Sequence, residues 1–344
     1  MAHRIRDAFQ EQAGLCRAVG SPFTAALLDT LAVTLDETTH TGKTILNWPG
    51  EPMRDALSLR VTGGLHALSR SGQDDALTAL YASRAGDFTA VLTRVVTAWD
   101  AWLLPWLDSA PQTNEVGRSA MLWPGMMEIT RRFGPKVELL ELGASAGLNL
   151  NLDRYGYDLG GVTAGVSTST VQLRPDWTGP APACADIDVV RRRGVDLNPL
   201  DVSQPDTAAR LLAYVWPDQP ERLGRIAAAI KIALVHPLTV DRADGADWIE
   251  ARLAEPQDAG VTRIVDHSIA LQYFPAAGRT RVIDAIKAAG ARATADRPLA
   301  WLSMEFTAEV TSHAVLRLQT WPGTGELESL AHVHPHGAKI TWLG

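Results

Sequence analysis

The spacing of the hydrophobic residues changes near residue 135. Before that point apolar residues recur every three to four positions, the period of an amphipathic helix, and no convincing strand pattern is present. Ser21 followed by Pro22 predicts an N-cap and a first-turn proline for the second of these helices. Helices are predicted at about 5–19, 22–36, 53–68, 74–82, 87–105 and 114–133, with a loop at 42–52. Residues 1–134 are therefore expected to form an all-α N-terminal cap domain.

From Lys136 onward, short apolar runs alternate with helical patterns, which is typical of a parallel sheet with crossover helices. Strands are predicted at 137–142, 194–197, 239–241, 262–267 and 299–305, with helices at 147–154, 206–231, 246–254 and 278–289. Three later strands, at 314–320, 327–333 and 339–343, predict antiparallel C-terminal strands. Residues 135–344 are therefore expected to form an α/β domain with a Rossmann-like, mostly parallel sheet and a hairpin insertion at about 155–185.

Composition and charge narrow the classes of protein. Hydrophobic residues make up 46% and charged residues 21% of the chain, and no apolar run approaches the roughly 20 residues of a membrane helix. The net charge of -7 argues against a nucleic-acid partner, because phosphate contacts need clustered Lys and Arg. Arg4, Arg6 and Asp7 stand where a signal peptide would be hydrophobic. We expect a soluble cytoplasmic protein with no nucleic-acid or membrane partner, and the sequence leaves its oligomeric state open.

The turn after the first predicted strand carries most of the information about function. An apolar run ends on Glu141 and continues through Gly143, Ser145 and Gly147 into a predicted helix. Glu-x-Gly-x-Ser-x-Gly fits a nucleotide cradle of the S-adenosylmethionine type, in which small residues let backbone amides at a helix N-terminus approach the ligand. Gly-x-Ser-x-Gly also fits the nucleophile elbow of an α/β-hydrolase. The two interpretations predict different enzymes.

An acid at the end of the next strand favours the cradle. Asp196 ends the strand at 194–197, where a carboxylate can accept hydrogen bonds from both ribose hydroxyls. The 49 residues from Gly147 to Asp196 (196 minus 147) exceed the roughly 20 of a dinucleotide fingerprint. The predicted hairpin insertion accounts for most of this excess.

The hydrolase interpretation makes Ser145 a nucleophile and requires an acid and then a histidine later in the chain. The sequence supplies that order with Asp244 or Asp266, followed by His313, His334 or His336. An elbow normally follows several strands and a glycine-rich oxyanion loop, whereas only predicted helices precede this turn. The cradle is therefore preferred, and the triad stays an alternative.

Two groups of histidines could carry chemistry. His267, near the end of the fourth parallel strand, is either a general base or a residue that caps the following helix, and the sequence leaves both open. His332, His334 and His336 alternate on a predicted strand, as zinc ligands could. No acidic partner stands nearby in the sequence, so a histidine cluster at a strand end is preferred and no metal is predicted.

Five segments of the chain resemble an uncharacterised bacterial family, domain-of-unknown-function family 2332. The segments are residues 64–68, 112–118, 141–150, 192–202 and 334–337. The second half of that family looks like class I S-adenosylmethionine-dependent methyltransferases. The resemblance implies a sheet with a late antiparallel strand, and it implies no known substrate.

The resemblance also implies roles for particular residues. Gly143, Ser145 and Gly147 would cradle S-adenosylmethionine, with Glu141 orienting its methionyl part, Asp196 holding the ribose and Asp244 approaching the adenine amine, while His267 and Ser268 would face the methyl group.

Polar residues before the first strand are expected to reach the same crevice. Asn114, Glu115 and Arg118 lie in the first turns of the helix that leads into that strand. Arg118 could pair with a ligand carboxylate through two parallel hydrogen bonds. The alternative is that this segment only caps and fastens the domain junction.

The sequence thus predicts an S-adenosylmethionine-dependent methyltransferase acting on a small-molecule acceptor. The alternatives are a serine hydrolase that uses Ser145, and a methyltransferase-like protein that binds a nucleoside without turnover. The second alternative is suggested by the lack of a catalytic motif specific for any acceptor.

Overall fold

A computed structural model describes residues 2–308, 310 and 312–344. The helices are α1 (Ala2–Ala18), α2 (Pro22–Thr34), α3 (His40–Leu46), α4 (Leu57–Ser71), α5 (Asp75–Ser83), α6 (Phe88–Ala98), α7 (Asp100–Leu103), α8 (Ser119–Phe133), α9 (Pro205–Ala213), α10 (Pro220–Val235), α11 (Gly245–Ala254) and α12 (Ala276–Gly290). The strands are β1 (Lys136–Leu142), β2 (Gly156–Leu159), β3 (Val162–Gly165), β4 (Gln172–Leu173), β5 (Asp176–Thr178), β6 (Asp188–Asp196), β7 (Val240–Arg242), β8 (Thr262–Ser268), β9 (Leu299–Glu305), β10 (Ala314–Trp321), β11 (Glu328–Val333) and β12 (Lys339–Trp342). Short 3-10 helices cover Leu104–Leu107, Val116–Arg118, Leu148–Arg154 and Leu271–Tyr273.

The described residues form a nine-stranded sheet with the order β5-β12-β11-β10-β9-β8-β1-β6-β7. The pairs between β7, β6, β1, β8 and β9 are parallel, and β9 to β12 form an antiparallel meander. The predicted fold class, a mostly parallel Rossmann-like sheet with antiparallel C-terminal strands after a helical region, is confirmed. Numbered in chain order, the five parallel strands lie in the order 3-2-1-4-5, so the order reverses between β1 and β8.

The central strands β1 and β8 are buried almost throughout, as expected for a parallel sheet covered on both faces. On one face Leu142 and Val265 pack with α11 and α12 in a common core. On the other face α8 packs against β9 and β10. A side chain at Gly125 of α8 would meet Leu302 of β9 at 2.6 Å, so glycine permits this close approach.

The chain divides into two compact units, and their boundaries differ from the single boundary expected at residue 134. One unit contains residues 1–113 and 204–224, and the other contains 114–203 and 225–344. Helix α8 therefore belongs to the sheet unit, because its buried side chains pack on strands. The hydrophobic pattern changes at residue 135 because the secondary structure changes there from helix to strand. The boundary between the two units lies earlier, because α8 already packs on the strands.

Several predicted elements differ from the structure, among them the following three. The predicted loop at 42–52 begins within α3, whose Thr39 side chain accepts a hydrogen bond from the Gly42 amide. The predicted helix at 206–231 is divided into α9 and α10, with Pro217 and Pro220 in and after the break. The predicted hairpin insertion contains the β2–β3 hairpin, but β5 leaves it and pairs with β12 in the main sheet.

Candidate functional site

Two buried carboxyl groups lie next to each other where the strand order reverses. Glu141 of β1 and Asp266 of β8 are register partners, so their side chains lie on the same face of the sheet. Their exposed fractions are 3% and 2%. Among the described residues, Glu141 Oε2 and Asp266 Oδ1 have no hydrogen-bond partner. Open α/β sheets bind ligands outside the carboxyl ends of their strands at such a reversal, which makes this the candidate site.

Burial dominates the electrostatics of this pair. It raises the pKa of Asp266 to about 8. Burial also raises the pKa of Glu141 well above its usual range, assisted by the negative charges of Asp266 and Asp196 and opposed by the positive charge of Arg118. The pair therefore holds a proton at neutral pH.

The small residues of the turn are explained by its backbone conformation. Gly143, Ser145 and Gly147 have φ values of 70°, 56° and 72°, in the left-handed region that favours glycine. A side chain at Gly143 would meet the Ala270 Cβ at 2.6 Å, and one at Gly147 would meet the Val240 side chain at 2.8 Å. These glycines make room for protein atoms, whereas the cradle interpretation assigned that room to a ligand.

The amides of the turn also bind protein acceptors. The Gly143 and Ala144 amides donate to the Val195 carbonyl at 2.9 and 3.0 Å. The Ser145 amide donates to Asp196 Oδ2 at 2.9 Å. The expectation that these amides face a ligand is corrected, because strand β6 supplies the acceptors. The turn is thereby fastened to the acid at the end of the second parallel strand.

Asn114 supports the turn from the preceding segment. Its Oδ1 accepts a hydrogen bond from the Leu148 amide at 2.8 Å, at the start of the 3-10 helix that replaces the predicted helix at 147–154. Glu115 caps the short 3-10 helix at Val116–Arg118 that precedes α8, and its side chain accepts from the Gly117 amide. Asn114 is thus a structural support in this arrangement, and it was expected to contact the cofactor.

Arg118 lies at the reversal point of the strand order. Its Nη1 donates to the Ser268 carbonyl at the end of β8 at 2.8 Å, and its Nε donates to the Pro335 carbonyl at 2.9 Å. Its positive charge acts on Glu141. Arg118 therefore joins β8 to the C-terminal segment and places a positive charge near Glu141.

Two acids predicted to contact the nucleoside have defined positions. The partly exposed Asp196 accepts hydrogen bonds from the amides of Ser145 and Asn198, both at 2.9 Å. The exposed Asp244 caps α11, with Oδ1 accepting from the Ala246 amide at 2.9 Å and the Asp247 amide at 3.1 Å. Asp196 ends β6 and Asp244 follows β7, so both acids lie at the carboxyl ends of parallel strands, as the sequence predicts.

His267 is held within the sheet by two side chains. Its Nδ1 lies 2.7 Å from Glu305 Oε1, and Trp301 Nε1 donates to its Nε2 at 2.9 Å. Because an indole can only donate, Nε2 is the acceptor and the proton resides on Nδ1. His267 also lies on the face opposite to Asp266, since adjacent residues of a strand alternate. Neither the general base nor the helix cap describes this histidine.

Glu305 was missed by the sequence reasoning. Besides His267, its Oε1 accepts from the amides of Ala270 and Leu271 at 2.9 and 3.1 Å. Burial raises the pKa of Glu305, but the hydrogen bonds from His267 and from the Ala270 and Leu271 amides outweigh it, so the pKa lies below its usual range. Glu305 ends β9, and the reasoning that selected Asp196 at a strand end could have found it. It fixes the turn after β8, in which Ile269 adopts a left-handed φ of 52°.

The two candidate serines, Ser145 and Ser268, are both buried. Ser268 is buried, and its carbonyl binds Arg118. Ser145 Oγ is buried and has no hydrogen-bond partner among the described residues. A serine nucleophile needs a base within hydrogen-bond reach, so the hydrolase alternative lacks its second member in this arrangement.

The C-terminal histidines form two pairs. His313 Nε2 and His332 Nδ1 are 2.7 Å apart, and the rings of His334 and His336 meet edge to face at 5.6 Å. The part of the chain that the structure describes contains no group of three or more side chains able to hold a metal ion. His332 thus partners His313 instead of completing a cluster with His334 and His336.

Comparison with known protein families assigns nearly the whole chain to one family. A family model described as "Uncharacterized protein conserved in bacteria (DUF2332)" matches residues 6–342. The chain belongs to this family. No curated protein and no solved structure matches it. Among the described residues, no helix has both the length and the apolar character needed to cross a membrane.

Four of the five segments that carry the DUF2332 resemblance, at 112–118, 141–150, 192–202 and 334–337, meet at the candidate site. The segment at 112–118 contacts the turn through Asn114 and the C-terminal segment at 334–337 through Arg118. A side chain at Gly117 would meet the His336 carbonyl at 2.6 Å, so these backbones are in close contact. The site is therefore assembled from segments that are more than 200 residues apart in the chain.

Proposed function

We propose that this DUF2332 protein is an S-adenosylmethionine-dependent methyltransferase that acts on a small-molecule acceptor. The observation that supports it is the hydrogen bond from the Ser145 amide to the Asp196 carboxylate. This bond joins the turn after the first parallel strand to the acid after the second, beside the reversal point where such sheets receive nucleotides. The predicted cytoplasmic location stays a prediction.

The side chains at this edge match the functional groups of the cofactor. Asp196, oriented by two amides, suits ribose hydroxyls, and Arg118 suits the methionyl carboxylate. The unpartnered oxygens of Glu141 and Asp266 suit an α-ammonium group, which needs buried acceptors. When bound, the cofactor supplies an electrophilic methyl group on a sulfonium.

The protein's contribution on this proposal is mainly alignment. His267 already donates to Glu305 and accepts from Trp301, so it does not remove a proton from the acceptor in this arrangement. Holding reactants in near-attack geometry lowers a barrier by up to about 7 to 11 kcal/mol in favourable cases. An acceptor that needs no base in the protein, such as a thiolate or an unprotonated amine, fits this site best.

Calorimetric titration with S-adenosylmethionine and S-adenosylhomocysteine tests the proposal. We expect saturable binding to the wild-type protein and at least about tenfold weaker binding to Asp196→Asn, because ribose contacts are lost. Asp158→Asn is the matched control, since Asp158 also accepts a backbone amide, from Gly161 at 3.1 Å, but lies in the β2–β3 hairpin. Thermal unfolding of each variant checks that it is folded. No saturable heat with either ligand would contradict the proposal.

The engagement of both His267 nitrogens favours one second candidate, a nucleoside-binding protein without turnover. Incubation with cofactor carrying a labelled methyl group, across thiol, amine and hydroxyl acceptors, separates the two. Transfer to any acceptor supports the methyltransferase, and binding without transfer supports the second candidate. A fluorophosphonate probe tests the remaining hydrolase alternative, for which labelling of Ser145, lost in Ser145→Ala, would be decisive.

A further inference from the structure

The buried carboxyl pair of β1 and β8 has two properties that point to a ligand. Glu141 Oε2 and Asp266 Oδ1 are buried and have no hydrogen-bond partner among the described residues, which is unfavourable unless a ligand supplies the donors. The two residues are also register partners on neighbouring strands, which lie about 4.8 Å apart, so two negative charges here would repel strongly. The pair therefore holds a proton where a cation would also be favourable.

The charged groups around the pair leave Glu141 with a raised pKa. Burial is the largest cause, and the charges of Asp266 and of Asp196, at the end of β6, add to it. The positive charge of Arg118 opposes them without cancelling them. Asp266 itself is raised by burial. The balance of charges around the pair therefore favours a bound proton at neutral pH.

Two other titratable side chains close to the pair are engaged elsewhere. The Tyr155 hydroxyl donates to the Leu148 carbonyl at 2.5 Å, and burial raises the pKa of Tyr155, so it keeps this proton at neutral pH. His267 lies on the opposite face of the sheet, where its two nitrogens bind Glu305 and Trp301. Neither side chain therefore competes with an incoming donor for the pair.

A primary ammonium group matches the pair. It carries one positive charge and three hydrogen-bond donors, so it can serve both unpartnered oxygens at once. A positive charge beside a carboxyl favours the ionised form. The pKa of Asp266, which burial holds at about 8, therefore falls when the ammonium binds. At neutral pH the pair then releases a proton to the solvent, while the ammonium keeps its three hydrogens.

We propose that the Glu141–Asp266 pair binds the α-ammonium group of the cofactor in exchange for one proton, and that Asp266 thereby selects ligands with an α-amino group. The inference rests on the methyltransferase proposal and adds a residue of the fourth parallel strand to the cofactor contacts. It gives the pair a measurable proton balance, which a pair with a purely structural role would lack.

Calorimetry in buffers of different ionisation enthalpy counts the protons released per bound ligand. At pH 7 we expect close to one proton with S-adenosylhomocysteine. The matched control ligand is 5′-methylthioadenosine, which keeps the adenosine and the sulfur and lacks the α-amino group and the carboxylate. The carboxylate moves no proton, since an arginine that pairs with it is always charged. We expect fewer than about 0.2 protons with this ligand.

The same exchange makes affinity depend on pH. Because binding releases a proton, the affinity for S-adenosylhomocysteine should rise by up to about tenfold from pH 6 to pH 7. The α-ammonium group of the ligand stays mainly protonated in this range, so it contributes little to the change. The affinity for 5′-methylthioadenosine should change by less than about twofold over the same range.

Substitutions locate the exchanged proton. The double variant with Glu141→Gln and Asp266→Asn keeps both acceptor oxygens and removes both carboxyl groups. We expect it to release fewer than about 0.2 protons with S-adenosylhomocysteine and to bind this ligand at least about tenfold more weakly. Its affinity for 5′-methylthioadenosine should change by less than about twofold. Asp158→Asn, in the β2–β3 hairpin, is the control and should behave as the wild type.

Asp196→Asn separates this inference from the proposal on which it rests. It should weaken the binding of both ligands, because both carry the ribose. The number of protons released with S-adenosylhomocysteine should stay close to one, because ribose hydroxyls exchange no proton at neutral pH. Thermal unfolding checks that each variant is folded, and the comparison of the two ligands on the wild-type protein needs no variant.

Three results would overturn the inference and leave the methyltransferase proposal standing. These are saturable binding of S-adenosylhomocysteine without proton release, equal release with the two ligands, and undiminished release in the double variant. The last result would mean that the proton comes from another group. A lack of saturable binding of S-adenosylhomocysteine to the wild-type protein would instead overturn both.

Discussion

At the scale of single residues, the main feature is a carboxyl pair placed where burial opposes its charge. Glu141 and Asp266 are almost fully buried, and each has an oxygen without a partner among the described residues. A buried carboxyl without compensating donors favours its protonated form. Carboxyl groups with strongly raised pKa values occur most often at functional sites, where they transfer a proton or bind a cation.

The pair makes stability depend on pH in a direction opposite to that of most acids. The folded chain holds a proton on Asp266 up to about pH 8, whereas an unfolded Asp releases it near pH 4. The free energy of unfolding therefore falls as pH rises from about 4 to about 8. Asp266→Asn removes this titration. We therefore expect the free energy of unfolding of the variant, relative to that of the wild type, to rise by up to about 1.4 kcal/mol per pH unit in that window. Urea unfolding at several pH values measures the difference.

Asp241→Asn provides the control of opposite sign. Burial raises the pKa of Asp241, but hydrogen bonds from Arg193 and Trp248 outweigh it and the pKa is lowered. Its ionised form is therefore favoured in the folded chain, and this contribution is present at neutral pH and lost only as pH falls below about 4. A difference between Asp266→Asn and wild type that stays constant from pH 4 to 8 would contradict the assignment.

The sequence predicted which residues stand at strand ends, and it could not predict their partners. Glu141 and Asp196 were found because the end of a short apolar run shows where a buried strand stops. The engagement of His267 depends on Trp301 and Glu305, which are 34 and 38 residues away and reach it only through the pairing of β8 with β9. Local pattern contains no information on such contacts.

At the scale of elements, the turn between β1 and the following 3-10 helix is packed on both sides. Gly147 combines a left-handed φ of 72° with a close neighbour, since its added Cβ would lie 2.8 Å from Val240. The first residue of β7, Val240, thus packs closely against the turn at Gly147. Positive φ alone would not make the position so intolerant of a side chain.

Substitution of Gly147 separates strain from crowding. We expect Gly147→Ala to lower the free energy of unfolding by about 2 to 4 kcal/mol, the sum of left-handed strain and overpacking. Gly260→Ala is the matched control, because Gly260 has a φ of 74° with no atom within 4 Å of an added Cβ. It should cost only about 1 to 2 kcal/mol. Equal losses in urea unfolding would show that Val240 does not crowd the turn.

The structure replaces one predicted helix by a 3-10 helix for a reason outside local propensity. Arg192 donates to the Leu150 carbonyl at 2.8 Å and to Asn151 Oδ1 at 3.1 Å. Asn151 also donates to the His236 carbonyl. The Leu150 carbonyl and the Asn151 side chain are thus hydrogen-bonded to β6 and to the segment that ends α10. These bonds favour the tighter 3-10 helix, in which Asn151 has non-helical φ and ψ.

At the scale of the whole molecule, the helical unit is completed by a segment from late in the chain. Residues 204–224 belong with residues 1–113, and the Ala213 carbonyl accepts a hydrogen bond from His66 Nδ1 at 3.0 Å. Burial lowers the pKa of His66 to about 4, so the ring is neutral at physiological pH and donates to that carbonyl. The sequence shows a helical pattern before residue 135 and alternating strands and helices after it. Nothing in the second pattern marks residues 204–224 as part of the first unit.

The cap of α2 gives the sharpest test of this organisation. Ser21, the predicted N-cap, makes no side-chain capping bond. Asp218 accepts instead from the amides of Phe23 and Thr24 at 3.1 and 3.0 Å. We expect Asp218→Ala in the full chain to lower the stability of the helical unit by about 1 to 2 kcal/mol. Hydrogen exchange should quicken in α2, nearly 200 residues away in sequence, and stay unchanged in β1 and β8.

Asp244→Ala gives the reverse pattern in the same measurement, because Asp244 caps α11 in the sheet unit. Its loss should quicken exchange in α11 and leave α2 protected. Both variants remove one acidic cap and one charge, so their overall charge effects match. Faster exchange in α11 after Asp218→Ala, or in α2 after Asp244→Ala, would contradict the division of the chain into these two units and the assignment of residues 204–224 to the first.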